Sequence, residues 1–153
     1  MILRILKDKD LPKEPSKQVE AVTPELRTFA AFMMGTMTYN KGVGLAAPQV
    51  GENIRLIVFD CINITMNAMD SGFMFNPEII ETGEESTIAQ EGCLSFPKQF
   101  VEVKRDRTIK VKYLDIAGRW MVRSYSGLAA RIIQHEIDHL DGITMLDRAK
   151  ETK

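Results

Sequence analysis

Gln134-His135-Glu136-Ile137-Asp138-His139-Leu140 holds both histidines of this 153-residue chain, spaced as His-Glu-x-x-His. On a helix, residues four apart lie one above the other on the same face. Two imidazoles so placed can grip one metal ion while Glu136 points beside it. The flanking sequence agrees with a helix that begins near Ser126, runs to about Leu140 and stops before Gly142. Leu128, Ile132, His135 and His139 recur at spacings of four, three and four, so they share a stripe. That stripe is expected to carry the histidines inward, away from bulk water.

Outward from this helix the chain alternates short extended runs with turn signals. Ile109, Val111 and Tyr113 alternate with Lys110 and Lys112. After the turn signal from Asp115 to Gly118, Trp120 to Tyr125 completes an expected antiparallel hairpin with one wet face. Leu56 to Phe59 reads as a buried strand and Asn63 to Gly72 as a loop. Phe73 to about Ala89 reads as extended, with Asn76-Pro77 as punctuation and Glu78 to Thr82 as a strand; Val101 to Val103 is short and ambiguous. An earlier helix is expected from Thr23, a cap, through Pro24 to about Asn40, with Leu26, Phe29, Ala30, Met33 and Met37 as its buried stripe. Gly42 to Gln49 is too rich in small residues and too short for an ordinary strand. The fold class is therefore α+β, mostly antiparallel strands packed around a central helix, in a single domain over residues 1–153 with a short C-terminal tail.

Composition excludes several classes. A net charge of −1 with 27% charged residues leaves no basic footprint for nucleic acid. Nothing approaches the roughly twenty apolar residues of a membrane span. The N-terminal run Met1 to Leu6 is too short and too soon charged for a signal peptide, so a cytoplasmic location is expected. Two cysteines, Cys61 and Cys93, are too few for a disulfide framework. Cys61 ends an apolar strand and reads as a small buried hydrophobe.

A catalytic metal site needs three protein ligands and an open position, and two histidines supply only two. Cys93, in Gln90-Glu91-Gly92-Cys93-Leu94-Ser95, stands in a segment suited to a tight turn and is the candidate third. Gly42-Val43-Gly44-Leu45-Ala46-Ala47-Pro48-Gln49, Glu91 to Ser95 and Gln134 to His139 together resemble the peptide deformylase family, complete and in that family's order. The resemblance implies a fold of small antiparallel sheets around the motif-bearing helix. It also implies removal of the formyl group from the formyl-methionine of newly made polypeptides. It makes Cys93, His135 and His139 ligands of one divalent ion, favouring Fe(II) with zinc, nickel or cobalt able to take its place. Glu136 becomes the general base and acid, and the Gln49 amide and the Leu94 backbone N–H become donors to the oxyanion.

Val43, Leu128 and Ile132 are expected walls for the methionine side chain. Gly44, lacking a side chain, is expected to let the substrate backbone pair edge-on with its segment, although a tight turn would also use glycines here. Asp138 is expected to make a structural hydrogen bond, and Glu91 to bond the backbone around Cys93. Two departures stand out. Phe100 occupies a position that is basic in many relatives, and only 11 residues follow Gly142, where many relatives carry a long helix used in ribosome docking. Such a tail is too short for a stable helix unless it packs on the body. Weak ribosome contact is expected, and hydrolysis of short formylated peptides independent of the tail. A zincin-type peptidase shares the helix motif but takes a later His or Glu as third ligand, leaving Cys93 unexplained. A non-catalytic metal-binding module would be marked by loss of Glu136 or Gln49.

Overall fold

The computed structural model describes residues 1–152, so Lys153, at the end of the expected tail, lies outside the described residues. The Thr23 hydroxyl accepts from the Leu26 N–H at 3.2 Å and opens helix α1 (Pro24–Tyr39), with Pro24 in the first turn where its missing N–H costs nothing. Gly42 follows, and strand β1 (Gly44–Ala46) leads into a single 3-10 turn over Ala47–Val50. The segment expected to be too short for a strand therefore makes one of three residues.

β1 pairs antiparallel with β2 (Leu56–Asp60), which pairs with β3 (Ser71–Thr82). β3 pairs with β6 (Thr108–Leu114), and β6 with β7 (Trp120–Ser126), giving a five-stranded sheet in the order β1-β2-β3-β6-β7. Helix α3 (Gly127–Leu140) packs on one face and α1 on the other. The sheet's middle shows why Leu56 to Phe59 is apolar throughout. Ile57 and Phe59 join the cluster under α3, while Leu56 and Val58 join the cluster under α1. A strand covered on both faces has no wet side to mark with polar residues.

Three expectations change. The loop expected from Asn63 to Gly72 contains most of a short helix, α2 (Ile62–Thr65), and the first residues of β3. The Cys61 carbonyl closes this helical turn by accepting from Ile64 and Thr65, and Met66 ends it in the left-handed region at φ 59°. Asn76-Pro77 does not end a strand: it sits in a bulge of the continuous β3, with Asn76 at φ 51° and its amide bonded to both the N–H and the carbonyl of Val19 at 2.9 Å. The extended run from Phe73 to Ala89 is two strands, because the chain leaves the main sheet after Thr82. It then forms a separate hairpin of β4 (Ser86–Cys93) and β5 (Phe96–Asp106), and Val101 to Val103 lies inside β5.

The last helix, α4 (Met145–Thr152), packs on β5. Gly142 ends α3 at φ 74° and passes so close to the Lys13 carbonyl that no side chain fits there. No helix among the described residues is long and apolar enough to cross a membrane.

Candidate metal centre

The inward face of α3 delivers its stripe as the spacing requires. His135 and His139 are 7% and 5% exposed, with ring centroids 5.1 Å apart. The β4–β5 hairpin brings Cys93 to them, at the turn Leu94-Ser95 where the strand register slips after Glu91. The Cys93 Sγ lies 3.4 Å from His139 Nε2, and one donor atom from each of Cys93, His135 and His139 falls within 4.8 Å of the others. The third candidate donor thus comes from a different sheet than the one α3 packs against.

His135 is held from behind. His135 Nδ1 bonds to Glu91 Oε1 at 2.9 Å, which leaves Nε2 facing the cluster. The sequence predicts that Glu91 bonds the backbone around Cys93, but its carboxylate turns to arginine and histidine side chains instead. Its carboxylate is gripped by both Nε and Nη2 of Arg105 at 2.9 Å and by Nη1 of Arg131 at 2.7 Å. Burial pushes the Glu91 carboxyl up, yet Arg105 and His135 overcome this and hold it well below the usual carboxylate range. Asp138 is structural, as expected: it accepts from Arg105 and, through both oxygens, from Arg148 of α4.

Gln49 sits on the 3-10 turn after β1 and is 1% exposed. Its Oε1 accepts from the Ala46 N–H at 2.9 Å, which fixes the amide so that Nε2 faces Ser95 Oγ at 3.1 Å and Cys93 Sγ at 3.5 Å. Glu136 lies beside His135, Oε2 to Nε2 at 4.0 Å. Its other oxygen, Oε1, is buried with no hydrogen-bond partner among the described residues. Burial pushes the Glu136 carboxyl up to about 7, against the pull of His135. Burial pulls His135 down, but Glu136, Cys93 and Glu91 together outweigh it and favour a proton there. Burial holds His139 well below its ordinary value, with His135 next in effect, so its imidazole is neutral.

These groups border a cavity of about 450 Å³, lined by Val43, Gly44, Gln49, Cys93, Leu94, Leu128, Ile132, His135 and Glu136. All four residues expected at the substrate pocket are therefore on one cavity with two of the three candidate donors, Cys93 and His135. His139 lies behind Cys93 and faces a small space against Pro48 and Leu11 to Lys13 instead. Gly44 does line the cavity, but its bare α-carbon faces inward: a Cβ would meet Glu136 Oε2 at 2.6 Å and Ile132 Cγ2 at 2.8 Å. Its small size makes room for Glu136, so the reason expected from sequence was incomplete. Phe100, 64% exposed, stands at the cavity over Gly92, with Lys41 and Lys98 nearby.

Arg105, Arg131 and Arg148 escaped the sequence reading. Arg131 carried one signal, since it lies four residues before His135 on the buried helix.

Comparison with known proteins agrees over nearly the whole chain. The family model "Polypeptide deformylase" matches residues 2–153. A peptide deformylase of Synechocystis sp. is 43% identical over 146 residues, covering 95% of this chain and 77% of its own. The crystal structure of the peptide deformylase from Thermotoga maritima superposes with a TM-score of 0.89 at 40% identity, covering 97% of each chain. A class I type b peptide deformylase from Acinetobacter baumannii, solved with Met-Ala-Ser bound, superposes with a TM-score of 0.88 at 36% identity, covering 97% of this chain and 98% of that one.

Proposed function

Because the chain belongs to the polypeptide deformylase family, hydrolases that remove N-formyl groups, we propose that it cleaves the formyl amide of N-formyl-methionyl peptides and releases formate. Cys93, His135 and His139 are the proposed ligands of one divalent ion. The donor set fits such an ion: one thiolate and two imidazoles suit borderline first-row metals. The surrounding carboxylates, which favour a proton on His135, supply the negative charge that a cation answers. Glu136 Oε1, buried without a partner among the described residues, is the acceptor such a site requires beside the ion. Fe(II) is the proposed native metal by resemblance, with zinc, nickel or cobalt suited to the same donors.

A divalent ion, when bound, acts as a Lewis acid that polarises the formyl carbonyl and makes water acidic near neutral pH. Glu136 takes the proton of the attacking water and returns it to the departing amine, which is too basic to leave as an anion. The Gln49 amide, held by the Ala46 N–H with its donor toward Cys93, donates to the oxygen on which charge develops, together with the Leu94 N–H. Val43, Leu128 and Ile132 receive the methionine side chain. β1 is an edge strand of the main sheet, so the segment of Gly44 offers backbone for the peptide to pair with. Formylated nascent peptides are the proposed partners, with only weak ribosome contact through the tail, in the cytoplasm.

The observation that carries this reading is the meeting of one thiol and two imidazole nitrogens within 4.8 Å, with Cys93 and His135 on the cavity that Glu136 borders. Its test is formate release from formyl-Met-Ala-Ser by protein purified without oxygen, before and after chelation. Stoichiometric formate that vanishes with the chelator and returns with Fe(II) or Ni(II) supports it. Formate release indifferent to chelation overturns the metal assignment, and no formate under any metal overturns the activity.

A further inference from the structure

The C-terminal helix is tied to the metal centre by two independent sets of contacts. The first is an unbroken line of charged hydrogen bonds. Arg148 of α4 donates from Nε and Nη2 to the two oxygens of Asp138 at 2.9 and 2.8 Å; Asp138 accepts from Arg105; Arg105 clamps both oxygens of Glu91; Glu91 accepts from His135 Nδ1. The second is apolar. Met145, Leu146 and Ala149 pack in one cluster with Phe96, Val103 and Cys93. The far end of α4 is pinned as well, where Thr152 Oγ1 accepts from the Lys104 N–H at 3.0 Å.

We infer that Arg148 is a positioning residue for the metal centre, so that the short C-terminal helix is part of the machinery that sets metal affinity. The inference rests on the assignment of Cys93, His135 and His139 as ligands. Asp138 is buried and bears two guanidiniums, one from each side. While Arg148 satisfies it, Arg105 is free to hold Glu91 with two parallel bonds, and Glu91 fixes the tautomer and orientation of the His135 ring. Without Arg148, the Oδ1 of Asp138 loses its partner in a site where an unpaired carboxylate is costly, and Arg105 is drawn toward it. Glu91 then loses part of its clamp and the His135 ring loosens. Asp138 also immediately precedes His139 on α3, so the same pair steadies the turn of helix that carries a second ligand. On this inference the tail is not dispensable for peptide hydrolysis, contrary to what the sequence led us to expect.

The test compares the wild-type chain with Arg148→Gln and Arg148→Lys, measuring Ni(II) affinity by competition with a chromogenic chelator and the melting of the metal-free proteins. Outer partners of this kind are worth about 10- to 100-fold in metal affinity. Arg148→Gln is expected to lose that much, and Arg148→Lys, which keeps the charge without the two-pronged grip, to recover part of it. A lowered metal-free melting temperature with unchanged Ni(II) affinity in the folded fraction would show a merely structural arginine and overturn the inference. Should Arg148→Gln not fold, wild-type affinity in Arg148→Lys overturns it equally. A wild-type chain that takes up no Ni(II) overturns the ligand assignment and this inference together, which distinguishes the two failures.

Discussion

A Cβ placed on Gly44 would lie 2.6 Å from Oε2 of Glu136, closer than real contacts of that kind come. The edge strand and the motif helix are therefore fitted to each other at the atom proposed to move the proton. Gly44→Ala should displace the Glu136 carboxylate and lower kcat by about 100-fold or more while Ni(II) affinity stays near wild type, since a positioned acid-base group is worth that much. Parallel formate-release and Ni(II) titrations decide it; turnover within about two-fold of wild type would show that Glu136 tolerates the move.

Cys93 and Glu136 should separate cleanly. Cys93→Ala reduces three candidate ligands to two and should lose both metal and activity, whereas Glu136→Gln should keep the metal and lose about 100- to 10,000-fold in turnover. Metal content by elemental analysis alongside formate release reads both. Near-native formate release from Glu136→Gln would remove Glu136 from the mechanism.

Specificity follows from the apolar lining. Hydrophobic pockets separate similar side chains by only about 1 to 3 kcal/mol, so formyl-norleucine peptides should be fair substrates and formyl-aspartyl peptides poor ones. Enlarging Val43 to Phe, beside Leu128 and Ile132 on the same cavity, should raise KM for formyl-Met-Ala-Ser more than it lowers kcat. Equal kcat/KM for methionyl and aspartyl peptides would place the side chain elsewhere.

Cys61 is 2% exposed at the mouth of α2, and burial, with Asp70 next, pushes its thiol from 9.0 up to about 11. The folded chain keeps this proton longer than the unfolded one. Its stabilising contribution is thus complete below pH 9 and lost as pH rises through about 11. Compared with Cys61→Ala, the wild-type chain should lose on the order of 2 kcal/mol more across that window, read from urea midpoints. Parallel pH profiles for the two proteins would place the thiol in contact with water.

Much of the fold was legible because it is local. Helical spacing marks α1 and α3, and the alternation of Ile109, Val111 and Tyr113 marks the β6–β7 hairpin. β5 was hidden because its stretch from Pro97 to Phe100 is exposed and the strand pairs only with β4, so no apolar alternation betrays it. The candidate donors were legible as motifs. The groups behind them were not, since Glu91 meets Arg105 and Arg131 across 14 and 40 residues and Asp138 meets Arg148 across ten. Buried ion pairs at such separations leave no periodic trace. Gly44 was singled out correctly as a position needing glycine, but its neighbour, Glu136, lies 92 residues on and only the packed structure reveals it.

Cys93 and the two histidines belong to units that share no ladder. The β4–β5 hairpin stands outside the five-stranded sheet; at its root the Gly83 N–H donates to the Thr108 carbonyl of β6, and the Arg107 N–H donates to the Glu85 carbonyl across the hairpin's own base. Hairpins tied in this way can open as units at a fraction of the global unfolding free energy. Buried side-chain bonds, among them Arg105 to Asp138 and Arg131 to Glu91, already join the hairpin to α3, and an ion held by the proposed ligands would add a further tie across that seam, stabilising the closed arrangement by mass action. On the proposed ligand set, metal loss and opening of the hairpin are linked, so the slowest-exchanging amides of β4 and β5 should exchange faster once a chelator removes the ion.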